Sequence, residues 1–337
     1  MEYLITPKNY KSSPDVIETQ IQIKMLKDYF QEHLANTLHL NRVTAPLFVP
    51  KKTGINDNLT GVEKPVSFFY DNCGSSEELE IVQSLAKWKR IALKKYNIPV
   101  GQGIYTDMNA IRPSEICDNT HSLYVDQWDW EKTISRDERN LDYLKETVNE
   151  IYSVFLNTDK MLARKIEGYK TFLAPKITFV TSQELEDYYP TLSPEEREKE
   201  FCKKHGTIFI IGIGHKLNSG EKHSHRAPDY DDWLLNGDLV IWHDVIDTAL
   251  ELSSMGIRVN KEVLLNQIEL SNSSDRLNLD YHKMLLNNEL PLTIGGGIGQ
   301  SRLCMLFLRK AHIGEVQASV WPTKMLEECN KNGIYLL

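Results

Sequence analysis

The chain has 337 residues, 41% of them hydrophobic and 26% charged, with a formal net charge of −8. That length and balance suit a globular protein with a substantial core and exclude a disordered chain. The acidic balance speaks against a nucleic-acid partner held through its phosphates, and no apolar run approaches the ~20 residues that span a membrane.

In chain order, residues 17–38 place Ile21, Met25, Tyr29, Phe30, Leu34 and Leu38 at helical spacing, which predicts a long amphipathic helix. A short β-branched run, 42–46, ends at Pro46 and suits an edge strand. Residues 51–63 are rich in Gly, Asn, Asp and Thr and read as a loop, while 79–95 reads as a helix carrying Lys87, Lys89 and Arg90. Strands are expected over 103–112 and 121–127, joined by the polar turn 113–119. A long helix should cover 136–159, and 176–181 and 207–212 should be strands with a charged helical stretch between them.

After a polar loop at 214–228, strands are expected at 238–242 and 249–259. Two helices, a glycine-rich turn at 295–299, a helix over 300–311 and a last strand near 316–321 complete the chain. Strands paired through hairpins and helices in runs predict an α+β fold, an antiparallel sheet of about six to eight strands flanked by helices. No linker or repeat divides residues 1–337, so a single domain is expected. Cys73, Cys117, Cys202, Cys304 and Cys329 show no Cys-x-x-Cys spacing, and the N-terminal stretch has no secretory pattern. Free thiols and a cytoplasmic location follow as expectations.

The glycine-rich turn is not a dinucleotide fingerprint, because Gln300 and Arg302 stand where the last glycine would fall, and the common phosphate-loop motif is absent. A tight helix–sheet contact would explain it equally well. Arg302 in the first turn of the following helix is what suggests an anion there.

Three constellations carry chemistry. Two antiparallel strands joined by a charged turn would bring Arg112 and His121 to one anion, with Gln127 and Asp129 on one face by the period of two. Asp238 and Glu251 on neighbouring strands could hold Mg²⁺ through one or two carboxylates, and Arg258 offers a fork for a substrate carboxylate. Arg302 follows the glycine turn. Each taken alone is also compatible with surface salt bridges. The three histidines His215, His223 and His225 share one polar loop, where ordering an active-site loop is the simpler reading than a metal site.

In that order, with the strings 57–61, 84–90, 123–130, 226–233, 251–258 and 295–302, the chain resembles class II aminoacyl-tRNA synthetases in their catalytic fold. Pro46 stands in the first motif, 112–129 in the second and 295–302 in the third. More narrowly, it is similar along almost its whole length to the ammonia-dependent aspartate–ammonia ligases, the type A asparagine synthetases.

The resemblance implies amidation of L-aspartate by free ammonia at the expense of ATP, through β-aspartyl-AMP, with Mg²⁺ as cofactor and a homodimer as the assembly. Arg112 would bridge the α-phosphate and the attacking carboxylate, and Arg302 would hold the γ-phosphate and pack on adenine. His121, Ser122, Val125 and, less directly, Asp231 would line the ATP site, with Glu251 and Asp238 on the metal. Lys89 and Arg258 would clamp the α-carboxylate of aspartate, with Gln127, Asp129 and Ser254 orienting the rest. Asp57 would close the pocket and could take a proton from ammonia. Two rivals share the motifs: a truncated aspartyl- or asparaginyl-tRNA synthetase relative, and an inactive paralogue that senses nucleotide or amino acid.

Overall fold

The computed structural model describes residues 4–13, 15–56, 59, 63–72 and 75–337. Among them the strands are β1 (Leu40–Arg42), β2 (Phe48–Pro50), β3 (Ser67–Asn72), β4 (Ser75–Ile81), β5 (Gly103–Ile111), β6 (Tyr124–Thr133), β7 (Thr178–Thr181), β8 (Thr207–Ile211), β9 (Asp231–His243), β10 (Thr248–Arg258) and β11 (Thr293–Gly299). The helices are α1 (Val16–Leu38), α2 (Ala86–Lys95), α3 (Leu141–Lys165), α4 (Ser182–Tyr188), α5 (Pro194–His205), α6 (Lys261–Leu270), α7 (Asp280–Leu286), α8 (Gln300–Phe307) and α9 (Thr323–Lys331).

Eight strands form one sheet in the order β1-β5-β6-β11-β10-β9-β8-β7, and β2, β4 and β3 form a small second sheet. The antiparallel sheet expected from the hairpins makes up the centre. The two edge pairs, β1/β5 and β7/β8, are parallel. Between β7 and β8 the chain passes through α4 and α5, and a crossover of that kind returns the strand in the same direction.

One face of the sheet is the core. Asp15 caps α1 by accepting the Glu18 N–H at 2.9 Å, and Ile23, Leu26, Phe30, Leu34 and Leu38 recur at three- and four-residue steps to form its buried stripe. Phe30 stacks on Trp128 of β6 with centroids 5.0 Å apart and meets Phe155 of α3 edge-on. Phe307 of α8 joins the same cluster. Because side chains alternate along β6, burying Trp128 and Trp130 on this face turns Gln127, Asp129 and Glu131 to the other.

Several sequence expectations are corrected. The glycine run 295–299 is a central strand, not a turn, and none of its glycines has a positive φ. Of the helix expected over 79–95 only 86–95 is helical; Leu79 belongs to β4, paired with β2 and β3. No strand forms over 316–321, where a 3-10 turn at Ile313–Glu315 leads to a buried Trp321 packed on His312, and α9 follows. The chain ends meet: Ser12 N–H donates to Gly333 O at 2.9 Å, Tyr335 N–H to Ser12 Oγ at 3.0 Å, and the buried Glu315 carboxylate accepts from Tyr10 and Ser12. Among the described residues no helix is long and apolar enough to cross a membrane.

Candidate active site

The site face of β6, β11, β10 and β9 floors a cavity of about 380 Å³. Its first half is a buried network of charge. Arg258, at the end of β10, donates from Nε to Glu131 Oε1 at 3.0 Å, from Nη2 to Glu131 Oε2 at 2.8 Å, and from Nη1 to Asp231. Glu131 also accepts from Thr293 Oγ1 at 2.6 Å. Lys89, on α2, donates to Asp129, to Trp130 O at 2.9 Å and to Gly296 O at 3.1 Å.

Burial would raise the Glu131 pKa, but the charge and hydrogen bonds of Arg258, with Lys89 beyond, reverse that and hold it below the usual carboxylate range. Burial pulls Lys89 below its ordinary value, against the opposing charges of Asp129 and Glu131. Three carboxylates thus face two cations. Asp129 Oδ2 is buried and has no partner, an open acceptor suited to an ammonium group. Gln127 and Ser254 border the same space.

The glycines of β11 make room for this network. A Cβ on Gly295 would fall on the Glu131 carboxylate and lie 2.7 Å from Arg258 Nη2; one on Gly297 would meet the Gln127 amide. Register places Gly295 opposite Glu131 and Gly297 opposite Asp129, with Ser254 on the other side of Gly297.

The second half is rich in arginine. Arg112 follows β5, its Nη2 3.5 Å from Gln83 O and its Nε buried without a partner. Arg302, in the first turn of α8, donates to Thr120 O at 3.2 Å and to Glu251 O at 3.0 Å. Asp118 fixes the turn between β5 and β6 by accepting Thr120 N–H at 2.6 Å and His121 N–H at 2.8 Å, and it holds His121 Nδ1 at 2.9 Å. Burial opposes ionisation of Asp118, yet His121 and these donors bring its pKa down to about 2. Ser122 Oγ pairs with Ser319 Oγ at 2.8 Å, and Val125 supplies an apolar wall. Arginines 112, 226 and 302 gather here with His121, Glu115 and Glu251, and guanidinium forks brought together in this way suit a polyphosphate.

Most of the residues singled out from the sequence therefore border one cavity: Lys89, Arg112, His121, Ser122, Val125, Gln127, Asp129, Asp231, Glu251, Ser254, Arg258 and Arg302. Two placements differ from expectation. Asp231, expected at the nucleotide, is bonded by Arg258 and also lies in the field of Arg226, between the two halves. Asp238, expected to face a metal beside Glu251, lies behind Arg226, whose guanidinium covers both its oxygens. Asp57 lies outside the described residues. Of the loop histidines, His225 borders the cavity and His223 bonds Glu198 at 2.8 Å. Sequence reading missed Glu131 and Gln317, and it met Arg226 only within the string 226–233, with no role of its own. Alternation from Gln127 and Asp129 would have found Glu131; nothing short of the fold points to Gln317.

Residues 17–333 match the sequence profile of the aspartate–ammonia ligase family, AsnA. The chain is 56% identical to an aspartate–ammonia ligase of Clostridium perfringens strain SM101 and 54% identical to one of Bacteroides fragilis strain ATCC 25285, in both cases over 100% of each chain. Among solved structures, the asparaginyl-tRNA synthetase of Pyrococcus horikoshii complexed with asparaginyl-adenylate superposes with a TM-score of 0.62 at 14% identity, covering 90% of this chain and 70% of that one. The asparaginyl-tRNA synthetase of Entamoeba histolytica in complex with asparaginyl-adenylate gives 0.59 at 15%, covering 89% and 66%. At such identity these two share the fold.

Proposed function

We propose a mechanism from one premise: the chain belongs to the aspartate–ammonia ligase family, and so is an enzyme that makes asparagine from aspartate and ammonia. The finer reading is that ATP activates the side-chain carboxylate. The observation that carries it is the division of charge along a single cavity, a carboxylate–ammonium network at one end and three arginines at the other.

Aspartate would lie with its ammonium group on Asp129 and Gln127 and its α-carboxylate toward Lys89, Arg258 and Ser254. Glu131 and Asp231 already hold Arg258, so these cations are oriented before substrate arrives and little reorganisation accompanies the reaction. The β-carboxylate then faces Arg112. One of its oxygens attacks the α-phosphorus of ATP, the bond from that phosphorus to the bridging oxygen breaks, and pyrophosphate departs. Arg112 and Arg302 stabilise the charge that spreads over the phosphoryl oxygens, with His121, Ser122 and Val125 around the nucleotide. Ammonia attacks the acyl carbon of β-aspartyl-AMP and AMP leaves; Asp57 accepts the proton that nitrogen sheds.

Glu251, its side chain 44% exposed at the cavity, is a hard oxygen donor of the kind Mg²⁺ takes beside a nucleotide, and Asp238 would join it as the second carboxylate only once Arg226 turned from it to the phosphates. The metal would neutralise phosphate charge. Among the described residues no cluster of three or more metal-binding side chains forms, in keeping with a site completed by phosphate oxygens. The described cysteines are unpaired, as in a reducing cytoplasm, and the exposed Val16, Ile17 and Ile21 on α1 suit a homodimer face, to be checked as twice 38.9 kDa by light scattering.

Incubated with ATP, Mg²⁺, aspartate and ammonium, the purified protein should release AMP and asparagine in equal amounts. Exchange of pyrophosphate into ATP without asparagine would indicate a synthetase-like activation alone, and neither reaction would overturn the reading. Asp57→Ala should keep the exchange and slow asparagine release; equal loss of both would remove Asp57 from the ammonia step.

A further inference from the structure

Gln317 borders the cavity beside Ser122, Val125 and Ile313 and is only 5% exposed. Its amide nitrogen donates to Asp126 Oδ1 at 3.3 Å and to Ser301 Oγ at 3.0 Å. Asp126 is ion-paired with Lys27 at 3.0 Å and accepts the Ser301 N–H at 3.0 Å, so it faces Gln317 as an acceptor. That fixes which end of the amide is nitrogen. The other end, Oε1, is buried and has no partner. A buried acceptor without a partner, on a side chain that lines a ligand cavity, is completed when a ligand donor reaches it.

ATP carries donors on the adenine 6-amino group and on the ribose hydroxyls. The surroundings of Gln317 favour the base. Val125 and Ile313 present apolar side chains to a flat ring, and Ser301 immediately precedes Arg302, whose planar guanidinium offers a stacking surface. We infer that Gln317 reads the 6-amino group of adenine through Oε1 and so determines the choice of ATP over GTP. Guanine presents an oxygen at the same ring position, which would set acceptor against acceptor. The inference rests on the ATP reading given above.

The test pairs a ligand group with a residue. Asparagine formation is measured with ATP and with purine riboside 5′-triphosphate, which lacks the 6-amino group, for the wild type and for Gln317→Met. In the wild type kcat/KM should fall about tenfold for the analogue, because Oε1 is then buried unpaired. In Gln317→Met the two triphosphates should become equal within about twofold, with KM for aspartate unmoved. Methionine also loses the bonds to Asp126 and Ser301, but general loosening would lower both triphosphates alike and leave the tenfold ratio intact; that result overturns the assignment. So does a wild type that uses ATP and the analogue equally, whatever the variant does. Absence of any asparagine from wild type with ATP would instead remove the ATP reading on which the assignment stands.

Discussion

Two buried imidazoles set an acid limit on this fold. His243 donates through Nε2 to Lys310 O at 2.7 Å, and His312 accepts the Gly314 N–H on Nδ1 at 3.0 Å. Burial pushes both pKa values down to about 4, since a second ring proton would find no acceptor. Between pH 6.5 and about 4 the unfolded chain binds protons that the folded chain refuses, so stability is lost as pH falls through that window. Each histidine contributes a slope of up to about 1.4 kcal/mol per pH unit. Urea unfolding at pH 7 and pH 5 should show the loss, and His243→Gln should recover roughly half of it. A pH dependence identical in wild type and variant would clear His243 of the effect.

At the level of elements, β11 carries the strictest demand. Gly295 faces Glu131, which cannot step aside while Arg258 holds both its oxygens. Gly295→Ala should therefore cost about 3 kcal/mol by urea unfolding, the upper end for an overpacked core, and raise KM for aspartate well above wild type. An alanine variant with ordinary stability and ordinary KM would show that the network has slack. The same strand shows where the sequence stopped being legible. Three glycines in a row are the commonest sign of a turn, and only the strands on either side reveal that they answer crowding from neighbours. By contrast, the hairpin of β5 and β6 was readable, because alternation and a polar turn are local, and with it came Arg112, His121, Gln127 and Asp129. The small sheet of β2, β4 and β3 was not, since 79–95 joins a strand to a helix with an apolar pattern that fits either. Gln317 owes its place to Asp126, 191 residues away, and leaves no local trace, whereas Arg226 was legible only as the head of the string 226–233 and its hold on Asp238 was not.

Over the whole molecule, Ile5, Tyr10 and Ser12 fasten the arginine-rich end of the cavity. Ile5 exchanges two hydrogen bonds with the Asn119 side chain, at 2.7 and 2.8 Å, just before Thr120 and His121, while Tyr10 and Ser12 serve the buried Glu315. Removing residues 1–12 strips partners from a buried carboxylate and should cost about 3 kcal/mol in urea unfolding. The expected kinetic signature is a raised KM for ATP with KM for aspartate unchanged; equal rises in both would mean the segment supports the fold in general. The pair that anchors the other end has a consequence for synthesis. Glu131 and Arg258 are 127 residues apart, and at about 5–20 residues per second the carboxylate emerges roughly 6–25 seconds before the guanidinium that neutralises it exists. Until then the site face of β6 sets two carboxylates, Asp129 and Glu131, against Lys89 alone, so the growing chain must keep β6 wet on that side and assemble its centre last.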